Sequence, residues 1–366
     1  MLAPRSLTEV VGEGQDTQTN GMSLEQTPRT ALNVIFFQKS RLTPSNSDVQ
    51  STDSSGDGHQ DETKATRPSL PSYVDSFTSL LAELVPHIDY KSTRLLTPHI
   101  YQSTYAVPYQ DSPDFSSIRH NAPIRDFESK HGLEIIFDAP PTASEGQQRP
   151  LRLALFDMDS TLINEEVIDE LARSIGISDA VSAITARAMN GDIDFATSLS
   201  ERVSMLKGVR ANIWEDLKKT ITIATGAREL VSGLKEKGVL TGVVSGGFIQ
   251  MANWLKGELG LDVAVANHLL EEAPTADLPY PHLSGLLDPN YPIVTPEMKR
   301  ATLKSLAAEH AIPLSETLAV GDGSNDLLML GTAGLGIAWN AKEKVQTRAP
   351  MRLNGNSLAD VLYLIC

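Results

Sequence analysis

The chain has 366 residues, enough for one large or two ordinary domains with a sizeable buried core. Its formal net charge of −15 at pH 7 argues against general attraction to nucleic acid or an anionic membrane, though local cations or a metal can still hold an anionic substrate. No uninterrupted run approaches the roughly 18 apolar residues of a membrane span, the N-terminus lacks a secretory signal pattern, and the single cysteine, Cys366, can form neither an internal disulfide nor a CxxC metal site, so a cytoplasmic protein is expected.

Residues 1–30 are polar and without periodicity, and disorder is expected there. The apolar run Leu32 to Phe37 reads as a strand, and the Ser-, Thr-, Asp- and Gly-rich stretch 41–72 after it reads as a flexible segment too polar to make a core. Val74, Phe77, Leu80, Leu81 and Leu84 recur at helical spacing ahead of Pro86. Leu133 to Phe137 reads as another strand before a Pro- and Gln-rich stretch. Over 31–148 these pieces make either a small α/β accessory domain, through which a homodimer could form, or chain packed irregularly against the next domain; the accessory domain is the expectation.

The sequence changes character at Leu151. LRLALFDMDST is a short apolar strand running into acidic residues, and Val167, Ile168, Leu171 and Ile175 then share one helical face. Helical segments continue to about Thr220, with a turn at Gly191. Next come the helix ARELVSGLKEKG, the strand VLTGVVSGG, the helix FIQMANWLKGELG, a Pro- and Tyr-containing connection over 271–298, the helix EMKRATLKSLAAEH, the strand TLAVGDG, a helix from NDLLMLG and the strand GLGIAW. Strands separated by helices imply an α/β fold with a mostly parallel sheet covered on both faces, spanning 149–366. The helical block at about 164–222 would cap the strand ends, where open α/β sheets bind their ligands.

Two acidic clusters come directly after apolar strands. At Asp157-Met158-Asp159-Ser160-Thr161 the chain is leaving the sheet, so both carboxylates can enter one crevice, one as nucleophile and metal ligand and the other exchanging a proton with a leaving alcohol. Alone, the motif reads as readily as an acidic surface turn. In GDGSND, Asp322 joins Asp157 in offering the hard oxygen ligands that magnesium takes, with Asn325 or Asp326 completing the shell. A turn-forming acidic loop is the alternative there, and the spacing of an EF-hand is missing. Ser245-Gly246-Gly247 lets backbone approach an anion at a helix start, with the Ser245 hydroxyl as donor, yet by itself it is an ordinary turn. Lys299 either neutralises charge on a phosphate and its carboxylate neighbours or is a solvated helix lysine.

In this order DMDST, SGG, Lys299 and GDGSND resemble the haloacid dehalogenase-like superfamily, and within it the phosphoserine phosphatases, over about residues 151–350. The resemblance implies a Rossmann-like core with a helical cap inserted after its first strand. It implies magnesium-dependent hydrolysis of a small phosphomonoester, O-phospho-L-serine, to L-serine and inorganic phosphate, the last step of serine synthesis. Asp157 would be the nucleophile and Asp159 the general acid and then base; Ser245, Gly246 and Lys299 would hold the phosphoryl group. Magnesium would sit on Asp157, the backbone carbonyl of Asp159 and Asp322, with Asp326 behind them and Asn325 beside the substrate. Glu166, Met189, Phe195 and Arg202 match the family's substrate-recognition positions: Glu166 for the ammonium, Arg202 for the carboxylate, to which a planar guanidinium is suited. Met189 and Phe195 would cover the pocket, although alone they read as core. A phosphatase or phosphotransferase acting on another small monoester, and a noncatalytic metabolite-binding protein, are the alternatives. The 271–298 connection is longer and more Pro-rich than in compact members, and the N-terminal region matches a diverged regulatory domain only loosely.

Overall fold

The structure, a computed structural model, describes residues 29–38, 72–108, 118–138 and 150–365. The expectations for 1–28 and 39–71, and Cys366, fall outside the described residues.

The N-terminal region forms a four-stranded antiparallel sheet with two helices. In chain order these are β1 (Arg29–Gln38), α1 (Ser72–Leu84), β2 (Asp89–Thr97), β3 (Ile100–Pro108), α2 (Ala122–His131) and β4 (Leu133–Asp138), with sheet order β2-β3-β1-β4. Alternation along β1 sends Leu32, Val34 and Phe36 into a cluster with Val74, Phe77 and Leu81 of α1 and Ile124 and Phe127 of α2. Phe36 and Phe77 meet edge to face at 5.1 Å. The opposite phase, Ile35 and Phe37, joins Ile136 in the apolar cluster of the C-terminal unit, so β1 and β4 are buried on both faces. Buried charges add to the junction: Arg352 pairs with Glu128 and lies 3.2 Å from Glu134.

The C-terminal unit is a six-stranded, all-parallel sheet. Its strands are β5 (Leu153–Phe156), β6 (Leu240–Phe248), β7 (Val263–Asn267), β10 (Thr317–Gly321), β11 (Leu335–Trp339) and β12 (Met351–Leu353), in the order β12-β11-β10-β5-β6-β7. Between β5 and β6 lie the cap helices α3 (Val167–Ser174), α4 (Ser178–Asn190), α5 (Phe195–Ser204) and α6 (Ile213–Thr220), then α7 (Ala227–Glu236), which returns the chain to the sheet. The later helices are α8 (Ile249–Leu259), α9 (Pro296–Glu309), α10 (Leu327–Leu330) and α11 (Glu343–Gln346). The architecture is the Rossmann-like α/β core with a helical insertion after the first core strand that the sequence predicts. No helix among the described residues is long and apolar enough to cross a membrane.

The 271–298 connection is not all loop. Its first half, with the residues just before it, folds into an antiparallel pair, β8 (Leu269–Glu272) and β9 (His282–Leu287). Leu283 exchanges backbone hydrogen bonds with the cap, accepting from Gly208 N at 2.8 Å and donating to Val209 O at 2.8 Å. Gly285 lies at φ 78°, and a Cβ there would stand 3.1 Å from Ser204 O, so only glycine lets the hairpin lie this close to the end of α5. The extra chain thus ties cap to core.

Candidate active site

β5 and β10 are parallel neighbours, and the two acidic motifs leave the sheet side by side at their carboxyl ends. Asp157 N donates to Val320 O at 2.9 Å as the strand ends, and Ile163 N then reaches back to Met158 O at 3.0 Å, closing a wide turn. Inside that turn Ser160 takes φ 54°, a left-handed conformation that lets Asp157 and Asp159 both enter the cavity. The Asp157 carboxylate is buried, accepting from Met158 N at 2.7 Å and lying 2.8 Å from Lys299 Nζ. One carboxyl oxygen of Asp159, Oδ1, is buried without a hydrogen-bond partner among the described residues.

Lys299 is fully buried between two carboxylates, with Asp326 Oδ1 at 2.7 Å. Burial works against its charge, but Asp157 and Asp326 outweigh it and raise the ammonium above its ordinary range. Asp326 is pushed up to about 8 by burial and by the charge of Asp157, against the pull of Lys299. It also accepts from Gly323 N at 3.0 Å, and a Cβ on Gly321 would stand 2.4 Å from its carboxyl carbon; the glycines of GDGSND are what let this carboxylate fold back under the loop. Asp322 accepts from Thr161 Oγ1 at 3.2 Å and is raised to about 7, by burial first and then by Asp157 and Glu166. Oxygens of Asp157, Asp322 and Asp326 all lie within 4.8 Å of one another. Such a crowd of buried carboxylates calls for a cation, and an all-oxygen donor set fits magnesium.

Another wall of the cavity is built by β6. Its pairing with β7 breaks between Val244 and Phe248, so Ser245, Gly246 and Gly247 bulge from the ladder. Gly247 N donates to Ser245 Oγ at 2.8 Å, which fixes that oxygen as an acceptor and leaves the hydroxyl proton free to point outward.

From the cap, Phe195 and Arg202 of α5 and Glu166, just ahead of α3, face the same cavity of about 130 Å³ as Asp157, Asp159, Ser245, Gly246, Asp322 and Asn325. Ser160 Oγ donates to Glu166 Oε1 at 2.9 Å. Burial raises Glu166 and lowers Arg202, while the carboxylates of Asp169, Glu166 and Asp159 favour the guanidinium charge. Asp159 is held well above the carboxylate range by burial, then by Glu166 and Asp157. Lys299 and Asp326 stand behind Asp157 without lining the cavity. Met189 is on α4, and its side chain lies outside the described residues. Ile168, Leu199 and Phe248 also line the cavity and were not singled out by the sequence. Phe195, Leu199 and Arg202 stand at i, i+4 and i+7 on α5, a helical stripe that would have brought Leu199 in with its neighbours.

Residues 151–334 match the haloacid dehalogenase-like hydrolase family. Among characterised relatives, the phosphoserine phosphatase of Saccharomyces cerevisiae is 43% identical over 215 residues, 58% of this chain and 67% of the yeast protein. A solved phosphoserine phosphatase carrying an analogue of a phospho-aspartyl intermediate superposes on 59% of this chain and 99% of its own, at 39% identity and TM-score 0.53. A haloacid dehalogenase family hydrolase from Salmonella enterica serovar Typhi is 26% identical and covers 91% of this chain and 98% of its own, at TM-score 0.68, so the N-terminal sheet recurs with the core. Together with the ordered acidic clusters around one capped cavity, these matches establish that the chain belongs to the haloacid dehalogenase-like hydrolases and, within them, to the phosphoserine phosphatase family.

Proposed function

We propose that this protein is a magnesium-dependent phosphoserine phosphatase, hydrolysing O-phospho-L-serine to L-serine and inorganic phosphate through phosphorylated Asp157, as the last step of serine synthesis. The observation that carries the substrate is the pairing, in a cavity of about 130 Å³, of one carboxylate and one guanidinium from the cap, Glu166 and Arg202, opposite the carboxylate and bulge groups of the core. A zwitterionic amino-acid end fits that pair, and the small volume favours a short phosphomonoester.

Asp157, held in one orientation by Met158 N and Lys299, attacks phosphorus as the bond to the serine oxygen breaks. Asp159, kept protonated by burial and its acidic neighbours, gives its proton to that departing oxygen. Now ionised, it takes a proton from the water that attacks the aspartyl phosphate, which releases phosphate and restores Asp157. The Ser245 hydroxyl and the Gly246 backbone meet charge on the phosphoryl oxygens, and Lys299 offsets that charge from behind Asp157. Asp157, Asp322 and the backbone carbonyl of Asp159 would hold magnesium, with Asp326, already engaged by Lys299 and Gly323, behind them. Bound there, the ion supplies charge stabilisation for the phosphoryl group. Phe195 closes the cavity over the substrate, the role the family pattern also gives to Met189, and Asn325 lines it from the loop after β10.

The reading places the enzyme in the cytoplasm. A homodimer formed through the accessory sheet is the assembly to look for, with β2 as an edge strand unpaired among the described residues.

Arg202→Ala tests the assignment. It is expected to reduce kcat/KM for O-phospho-L-serine by about a hundredfold and for phosphoethanolamine, which lacks the carboxylate, by about threefold or less. Equal losses on the two would remove Arg202 from substrate recognition.

A further inference from the structure

Asn267, the last residue of β7, is 1% exposed and sits beside the cavity without lining it. Its side chain makes two hydrogen bonds, each to a different half of the site. Nδ2 donates to Gly246 O at 2.8 Å, at the middle of the bulge in β6. Oδ1 accepts from Val294 N at 2.8 Å, and Val294 immediately precedes Thr295. Thr295 caps α9: its Oγ1 accepts from Met298 N at 3.3 Å, and its carbonyl takes Lys299 N at 2.9 Å.

The ladder between β6 and β7 is interrupted where the bulge occurs, so backbone pairing does not fix Gly246. Gly246 has no side chain of its own to anchor it, and Val294 is buried in the loop that leads into α9, outside any strand. One amide therefore replaces the missing ladder on one side and ties it to the start of the Lys299 helix on the other.

We propose that Asn267 is a positioning residue that sets the separation between the Ser245–Gly246 half and the Lys299 half of the phosphate pocket. The inference rests on the reading of those groups as a phosphate pocket. An amide suits the position because it presents a donor and an acceptor in one rigid plane, whereas an aspartate would set a carboxylate oxygen against Gly246 O. With both bonds lost, the buried Val294 amide and the half-buried Gly246 carbonyl are left to find new partners, which they do by moving.

The test is binding of inorganic phosphate, measured by calorimetry in saturating magnesium, to the full chain and to Asn267→Ala, a neutral change that adds no repulsion of its own. Phosphate affinity is expected to fall about tenfold or more, while half-saturation by magnesium, measured separately, stays within about twofold. Asn267→Ser is read by the same criterion if the alanine variant does not fold. A folded variant that binds phosphate as the unaltered protein does, or loses phosphate and magnesium affinity alike, overturns the proposal; so does failure of both variants to fold, which makes the residue merely structural. Turnover of O-phospho-L-serine by the unaltered protein is scored in parallel. Its absence would count against the substrate and leave the phosphate measurement intact.

Discussion

Ser160 Oγ donates to Glu166 Oε1 at 2.9 Å, linking the turn after the proposed nucleophile to the carboxylate proposed to take the substrate ammonium. Ser160 also holds φ 54°, where glycine is at ease and serine is not. Ser160→Gly removes the hydrogen bond without adding backbone strain. We expect KM for O-phospho-L-serine to rise about fivefold, in line with about 1 kcal/mol for one such bond, with kcat changed less and melting temperature unchanged or higher. Steady-state kinetics and a melting curve on one preparation check both halves.

Lys299 has no solvent to fall back on. Its removal leaves Asp157 and Asp326 buried and facing each other, and breaking a buried ion pair costs about 3–5 kcal/mol. Lys299→Met is expected to lose at least about a thousandfold in kcat and to unfold at clearly lower denaturant. Lys299→Arg should fail to rescue it, because a planar guanidinium does not fit a fully enclosed point-charge site. Urea unfolding monitored beside activity separates the two losses.

The crowding of carboxylates makes the metal-free protein sensitive to pH in a defined direction. Asp322 is raised to about 7, against an ordinary unfolded value of about 4. Between those values the folded state keeps the proton and the unfolded state has lost it, so this group's stabilisation falls as pH rises from about 4 to about 7 and is flat above. Asp322→Asn should therefore gain melting temperature over the unaltered protein at pH 7 and gain much less at pH 5, both without metal. In the unaltered protein the magnesium needed for half-saturation should rise as pH is lowered from 8 to 6, because the ion competes with the proton. A melting series in chelator and a magnesium titration read these directly.

Gly246 and Phe195 show how tightly cap and core close. A Cβ on Gly246 would lie 3.0 Å from Phe195 Cζ, so Gly246→Ala pushes the ring and α5 outward. The expected result is a rise in KM of several-fold with the fold retained, partly restored by Phe195→Leu in the double variant, since neighbouring residues couple. Additive losses would show that the two do not meet in solution.

The site was legible because its chemistry lies in consecutive residues at strand ends. DMDST comes after four apolar residues and GDGSND after three, and the parallel pairing of β5 with β10 does the rest. What escaped the sequence lacks a local pattern. β2 is exposed along most of its length and carries no apolar alternation, α2 is rich in charge with Ile124 and Phe127 as its main apolar anchors, and β12 has three residues. The hairpin of β8 and β9 is hidden by the prolines and glycines around it, and it is held by backbone bonds to the cap, which leave no mark on composition. Asn267 has the same character: its role depends on two carbonyl and amide groups 21 and 27 residues away along the chain.

The central claim is that Asp157 carries the phosphoryl group from phosphoserine. The most direct test is release of inorganic phosphate from O-phospho-L-serine with magnesium, by the unaltered protein and by Asp157→Asn, beside phosphothreonine, phosphotyrosine and a small sugar phosphate. The account predicts strong preference for phosphoserine in the unaltered protein and no turnover in a folded Asp157→Asn. Near-normal release by that variant, or activity confined to another ester, would contradict it.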